Sequence, residues 1–282
     1  MRLLIDDALA TAAFVVPYAA GWVVPGAEAT VEARPGLRGG DVGPDDIALV
    51  SSAEVAPLAE SHRVAPDAAV VAGAVGAVTL RTPVRPDEVE RGPVRLLGTS
   101  GAGELLARAT LRPFYGIEAT AWPGAWRGLP AEGTAAATAD DDSTLAAAQA
   151  VVVEGAEALR TPEVGFAEDL CRAWLILTGV PAVTHVLVVP AEAEQAALAP
   201  MLALLAALRE AGLARRREWR RGLAEREGLA LDRVHAFFAE QRLALTGEDR
   251  RALALLLQRG GRGSAYPPLG ALRFLDPAPE AP

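Results

Sequence analysis

Short, unbroken runs of apolar, largely branched residues alternate with stretches of helical periodicity over the first 190 residues, and this alternation restricts the fold more than any other feature. The runs 2–5, 47–50, 68–72, 75–80, 94–97, 151–153 and 185–189 lack the polar/apolar alternation of a half-exposed strand. They read as strands covered on both faces, the mark of a parallel α/β arrangement. Helical periodicity occupies 102–114 and 162–178. Beyond residue 191 the pattern predicts only helices, at 194–211, 215–227, 230–243 and 247–259, with Gly212, Gly228 and Gly260 as stops. The segment 122–143 reads as a loop, rich in Pro and Gly and closing on Asp140-Asp141-Asp142. That acidic triplet lacks the alternation and glycine of a calcium loop and reads as a solvated turn. The tail 276–282 is built of Pro, Ala and acidic residues and is expected to carry no fixed structure.

A formal net charge of −9 with no basic stripe excludes a typical nucleic-acid binder. The densest cationic run, Arg215-Arg216-Arg217 with Arg220 and Arg221, is interleaved with Glu218, Glu225 and Glu227 and reads as a solvated helix face. Every basic side chain is arginine, so phosphate-loop, Schiff-base and general-base lysines are all excluded. A single cysteine, Cys171, allows no internal disulfide and no cysteine-based zinc site. His62, His185 and His235 share no metal-ligand spacing. No metal or cofactor is therefore expected. Residues 8–27 are uncharged, but Pro17, Gly21, Pro25 and Gly26 interrupt them, and Asp6-Asp7 precede them where a secretory leader would be basic. The expectation is a cytoplasmic chain that engages neither membrane nor nucleic acid.

Three strand-to-helix junctions carry the candidate chemistry. In Leu97-Gly98-Thr99-Ser100-Gly101-Ala102-Gly103, a strand passes through a glycine-rich turn with two hydroxyls into an amphipathic helix. Unpaired N–H groups at such a helix start, with Thr99 and Ser100 as donors and Gly101 allowing close approach, can clamp a carboxylate or phosphate; plain helix capping is the alternative. The turn fails as a phosphate loop for want of lysine. It misses the nucleophile-elbow pattern by one residue, Ala102, and the downstream His185 begins an apolar strand instead of ending one on a loop. In Ile47-Ala48-Leu49-Val50-Ser51-Ser52, a buried strand delivers two hydroxyls to its carboxyl end, where ligands of open α/β sheets bind or where a helix is capped. In Val151-Val152-Val153-Glu154-Gly155, a strand delivers Glu154, the best carboxylate candidate.

In this order the junctions resemble those of the menaquinone-biosynthesis (futalosine pathway) chorismate dehydratase family. Asp46-Ile47-Ala48-Leu49-Val50-Ser51-Ser52, Gly98-Thr99-Ser100-Gly101 and Glu154-Gly155-Ala156-Glu157-Ala158-Leu159 resemble three of its elements. The most specific match is Asp169-Leu170-Cys171-Arg172-Ala173-Trp174-Leu175-Ile176-Leu177-Thr178-Gly179-Val180-Pro181. The resemblance implies a two-lobed α/β fold of the type II periplasmic-binding-protein kind with a helical C-terminal part. One lobe would be 1–82 plus 188–282 and the other 83–187, with hinges near 80–83 and 186–190. It implies a small anionic or carboxylate metabolite between the lobes, held by Thr11, Ser51, Ser52, Thr99, Ser100, Gly101 and Glu154.

The chain departs from the family pattern at polar positions. Ala10 stands where the family carries asparagine, Gly101 replaces a serine, and Ala156 replaces an aspartate. Each lost charge-assisted hydrogen bond weakens an anion site by roughly 1.5–3 kcal/mol. Two readings stay open: a chorismate-dehydratase-like lyase, and a non-catalytic binding protein of the same fold with a more apolar pocket.

Overall fold

A computed structural model describes residues 1–27, 29–124, 149–160 and 165–275. The Asp140-Asp141-Asp142 turn, most of the 122–143 loop, the start of the 162–178 helix and the 276–282 tail lie outside the described residues. In chain order the elements are β1 (Arg2–Asp6), α1 (Ala12–Ala19), β2 (Thr30–Arg34), β3 (Ile47–Ser51), α2 (Val55–Leu58), β4 (His62–Ala72), β5 (Val78–Thr82) and β6 (Arg91–Leu97). Then come α3 (Gly101–Thr110), β7 (Glu118–Ala121), β8 (Ala150–Glu154), α4 (Ala156–Leu159), β9 (Phe166–Asp169), α5 (Leu170–Thr178) and β10 (Ala182–Pro190). The chain closes with α6 (Gln195–Ala214), α7 (Arg216–Glu227), α8 (Leu231–Ala239), β11 (Gln241–Arg242) and α9 (Gly247–Gly260).

The strands form two sheets, ordered β11-β4-β10-β3-β1-β2 and β7-β6-β8-β5-β9. The seven expected strands are all present, but the sheets are mixed, not parallel. β1 runs parallel to β2 and β3, whereas β10 runs antiparallel to both β3 and β4. In the second sheet β6 is parallel to β7 and β8, and β5 is antiparallel to β8 and β9. The reason is connectivity: β10 re-enters the first sheet from the second and inserts at its centre, where all nine of its residues are buried. The chain changes sheet across 73–77 and returns across 170–181, several residues ahead of each expected hinge.

The motif around Trp174 turns out to be a folding unit that fastens this return. Asp169 caps α5 by accepting from the Cys171 and Arg172 amides, at 2.8 and 3.3 Å, and also takes the Gly76 amide at 2.7 Å. One carboxylate thus ties the outgoing crossing to the helix before the return. Trp174 is fully buried and its indole N–H donates to Pro181 O at 3.2 Å; Gly179 ends the helix at φ 74°, where only glycine sits without strain. The expected helix 162–178 is correspondingly shorter, because 166–169 pairs with β5 as an edge strand.

α6, at 20 residues, is long and apolar enough to cross a membrane, but Leu198, Met201, Leu205, Leu208 and Gly212 are buried in a core shared with Leu3, Ile5, Phe14 and Leu187. Gly212 does not stop this helix. It lets α6 lie against α1: a Cβ there would stand 2.1 Å from the Ala13 carbonyl oxygen. Gly228 does end its helix, in the left-handed region at φ 62°. A second core runs through both sheets and α9, joining Leu4, Val50, Leu80, Leu105, Val152 and Leu256.

Candidate functional site

The two sheets turn the carboxyl ends of four strands toward one another. After β1 come Asp6 to Ala10; after β2, Pro35 to Arg38; after β6, Gly98-Thr99-Ser100; after β8, Glu154-Gly155. These segments, with Ala77 and Gly124, line a cavity of about 460 Å³, well within the range of small-ligand sites. Carboxyl ends of strands offer unpaired loop amides and helix starts, which is why ligands of open α/β sheets bind there.

Of the residues singled out from sequence, Thr99, Ser100 and Glu154 meet in this cavity. Glu154 sits on the start of α3: it accepts the Ser100 amide at 2.5 Å and the Ser100 hydroxyl at 2.9 Å. The Ser100 hydroxyl in turn accepts the Gly103 amide at 3.2 Å as the helix N-cap. A Cβ on Gly103 would fall 2.4 Å from the Glu154 carboxylate, so the glycine admits it. Clamp and cap therefore coexist, and the clamped carboxylate is the protein's own. Burial pushes the Glu154 carboxyl above its ordinary range, while the Ser100 donors and nearby His185 pull it back and Asp6 pushes it further.

The other candidates lie behind the cavity wall. Thr11 is fully buried and its hydroxyl donates to the Asp6 and Ala8 carbonyls, bracing the turn after β1. Ser51 accepts the Ala102 amide at 2.8 Å, and Ser52 donates to Val183 O at 2.7 Å; both are buried hydroxyls joining elements of the fold. Gly101 permits close approach, though of protein and not of ligand: a Cβ there would meet the Tyr266 hydroxyl at 2.2 Å and Ala53 Cβ at 2.6 Å. Ala10 lines the cavity and makes that part of its wall apolar.

Sequence reasoning missed a buried polar network that backs the cavity. Asp6, 4% exposed, accepts the Leu37 amide at 3.1 Å and lies 3.3 Å from His185 Nε2. His185 is fully buried in mid-strand, with Nδ1 3.2 Å from the Thr184 hydroxyl, which donates to Val70 O. That hydroxyl has only acceptor capacity left for the ring, and a carboxylate only accepts. Both ring nitrogens therefore face hydrogen-bond acceptors. Beside this pair, Glu54, 1% exposed, accepts the Gly39 amide at 2.8 Å, Arg38 at 3.2 Å and the Tyr266 hydroxyl at 3.1 Å. Among the described residues Arg38 is the one cation lining the cavity, together with Asp6, Asp7 and Glu154. Among the described residues no three His, Cys, Asp or Glu side chains converge as metal ligands.

Two mixed α/β sheets joined by paired crossings, with a ligand-sized cavity at the facing strand ends, define the type II periplasmic-binding-protein fold. Solved structures of similar fold include protein AF1704 from Archaeoglobus fulgidus (13% identity, 93% of this chain and 97% of that one, TM-score 0.61). The periplasmic aliphatic sulphonate binding protein SsuA from Escherichia coli is another (14% identity, 93% and 90%, TM-score 0.55). A third is the ligand-binding component of an ABC-type import system from Staphylococcus aureus (11% identity, 95% and 93%, TM-score 0.57). Residues 42–262 match the family model described as menaquinone biosynthesis, and the chain belongs to that family. None of the curated proteins matches it in sequence.

Proposed function

We propose that this cavity binds a small carboxylate-bearing metabolite and that the chain is a chorismate-dehydratase-like lyase, eliminating water from chorismate between two lobes built on the two sheets. Membership of the menaquinone biosynthesis family supports the pathway. The placement of Glu154 carries the chemistry. Dehydration removes a ring proton and a hydroxyl from adjacent carbons, forming a C=C bond and water. The leaving hydroxyl needs a proton donor, and a carboxyl raised by burial is suited to that role. The ring proton needs an acceptor, and Asp6, backed by His185, lines the same cavity. Ser100 and Thr99 would orient the substrate at the start of α3, with Arg38 opposite its carboxylates.

One observation favours the second reading, a non-catalytic binding protein. Glu154 already occupies the donors at the α3 start that a substrate carboxylate would use, and the cavity carries three acids against one arginine. An anion enters that corner only when Glu154 is protonated or displaced. Proteins of the same fold named for sulphonate binding support an anionic ligand under either reading.

Incubation of chorismate with a high concentration of the protein separates the two. Enolpyruvyl-oxy-benzoate, followed by chromatography, is expected from the native chain and reduced at least 100-fold in Glu154→Gln. No product from the native chain, with chorismate still bound, would establish the binding-protein reading. Neither product nor binding would refute both.

A further inference from the structure

A second cavity, of about 680 Å³, lies between α9, the segment that follows it, α2 and α3. None of its lining residues is shared with the strand-end cavity. Its walls are mainly apolar: Leu105, Leu257, Pro267, Pro268 and Leu269 contribute, the Tyr266 ring closes one side, and Gln258, Arg262 and Ser264 are the polar side chains. The tyrosine hydroxyl is turned away to Glu54, so the ring presents only its apolar body to this space. Arg262 lies in the lining, is exposed, and has no ion-pair or hydrogen-bond partner among the described residues. The other cations nearby are engaged: Arg108 is paired with Glu104 at 2.7 Å, and Arg259 stacks over Trp174.

We propose that this cavity is a second small-molecule site, for an amphiphile with an apolar body and a single anionic end, such as a medium-chain fatty acid. Several observations point to this class. The volume lies within the ~300–1,000 Å³ of small-ligand sites, and a mainly apolar lining with few polar groups is the usual composition of such sites. Pro267 and Pro268 give one wall little side-chain freedom to lose on binding. The unpaired guanidinium supplies the one charge, and its sign selects an anion over a cation of equal chain length. The strand-end cavity has the opposite character, with three acids on its walls, so the two sites would sort ligands by different rules.

Dodecanoate, dodecanol and dodecyltrimethylammonium, each below its micelle-forming concentration, test this by calorimetric titration of the whole chain. Dodecanoate is expected to bind at one site per chain, at least tenfold more tightly than the ammonium. Arg262→Gln should weaken dodecanoate about fivefold and leave dodecanol unchanged. Ala254→Trp, which fills the space from α9, should abolish binding of both. Leu269→Trp, from the opposite wall, repeats that arm should Ala254→Trp fail to fold. The proposal is overturned by no saturable dodecanoate binding, by equal binding of the ammonium, or by binding that survives both tryptophan substitutions.

Discussion

Placing serine at position 101, where the resemblance to the family leads one to expect it, tests whether Gly101 belongs to a ligand site or to the packed wall behind it. A Cβ at Gly101 would stand 2.2 Å from the Tyr266 hydroxyl, 2.6 Å from Ala53 Cβ and 2.9 Å from Tyr266 Cζ. Ordinary contact begins near 3.4 Å, so the hydroxyl must retreat by about 1.2 Å, the difference between the two distances. Ala53 is fully buried and Tyr266 is 9% exposed, and a retreat of the Tyr266 ring toward the second cavity strains its hydroxyl's bond to Glu54. Overpacking of this kind costs about 1–3 kcal/mol, and disrupting the Tyr266–Glu54 bond at 3.1 Å adds roughly 1 kcal/mol. Gly101→Ser should therefore lower the unfolding free energy by about 2–4 kcal/mol in urea, read by circular dichroism with an unchanged m-value. In a Tyr266→Ala background the same substitution should cost less, because two of its three close contacts are gone and only Ala53 Cβ at 2.6 Å remains. A Gly101→Ser protein within about 0.5 kcal/mol of the native one, or an undiminished cost in the Tyr266→Ala background, would refute this reasoning.

Two further predictions concern the frame around the site. Gly212→Ala should force α6 away from α1, since the obstacle is the Ala13 backbone carbonyl at 2.1 Å; an unfolding free energy lowered by about 3 kcal/mol is expected, with no rescue by shortening neighbouring side chains. Burial pushes the Asp169 carboxyl up to about 6, against its three backbone donors, so the folded state holds this proton more tightly than the unfolded chain does. Its contribution to stability is therefore greatest below about pH 4, falls as pH rises to about 6 and is constant above. The native-minus-Asp169→Asn difference in unfolding free energy should follow that curve, with an amplitude of at most about 3 kcal/mol because the group is partly exposed.

What the sequence disclosed and what it hid divide along physical lines. Strands buried on both faces announced themselves, β10 most clearly, because a fully covered strand must be apolar throughout. The strands that escaped notice, β2, β7, β9 and β11, are the four sheet edges and carry charges such as Glu32, Arg34, Glu118, Glu168 and Arg242. Edge strands need such residues to discourage further pairing, and so they do not look like strands. The junction at Ser100 and Glu154 was legible because each half sits at a strand end with glycines beside it. That the two halves bind each other was not, since they lie 54 residues apart. The same holds for Asp6 with His185, 179 apart, and for Glu54 with Tyr266, 212 apart. A hydroxyl at a strand end is equally ambiguous: Ser51, Ser52 and Thr11 face inward to hold the fold, and Thr99 and Ser100 face the cavity, from the same kind of sequence.

Calorimetric titration of chorismate into the native chain and into Ala10→Trp tests the central claim most directly. Ala10 lines the strand-end cavity, and its substitution leaves the Asp6, Ser100 and Glu154 side chains unaltered. One chorismate bound per native chain and no measurable binding to Ala10→Trp are expected, with the two proteins equally folded. Binding undiminished by the tryptophan would contradict that claim.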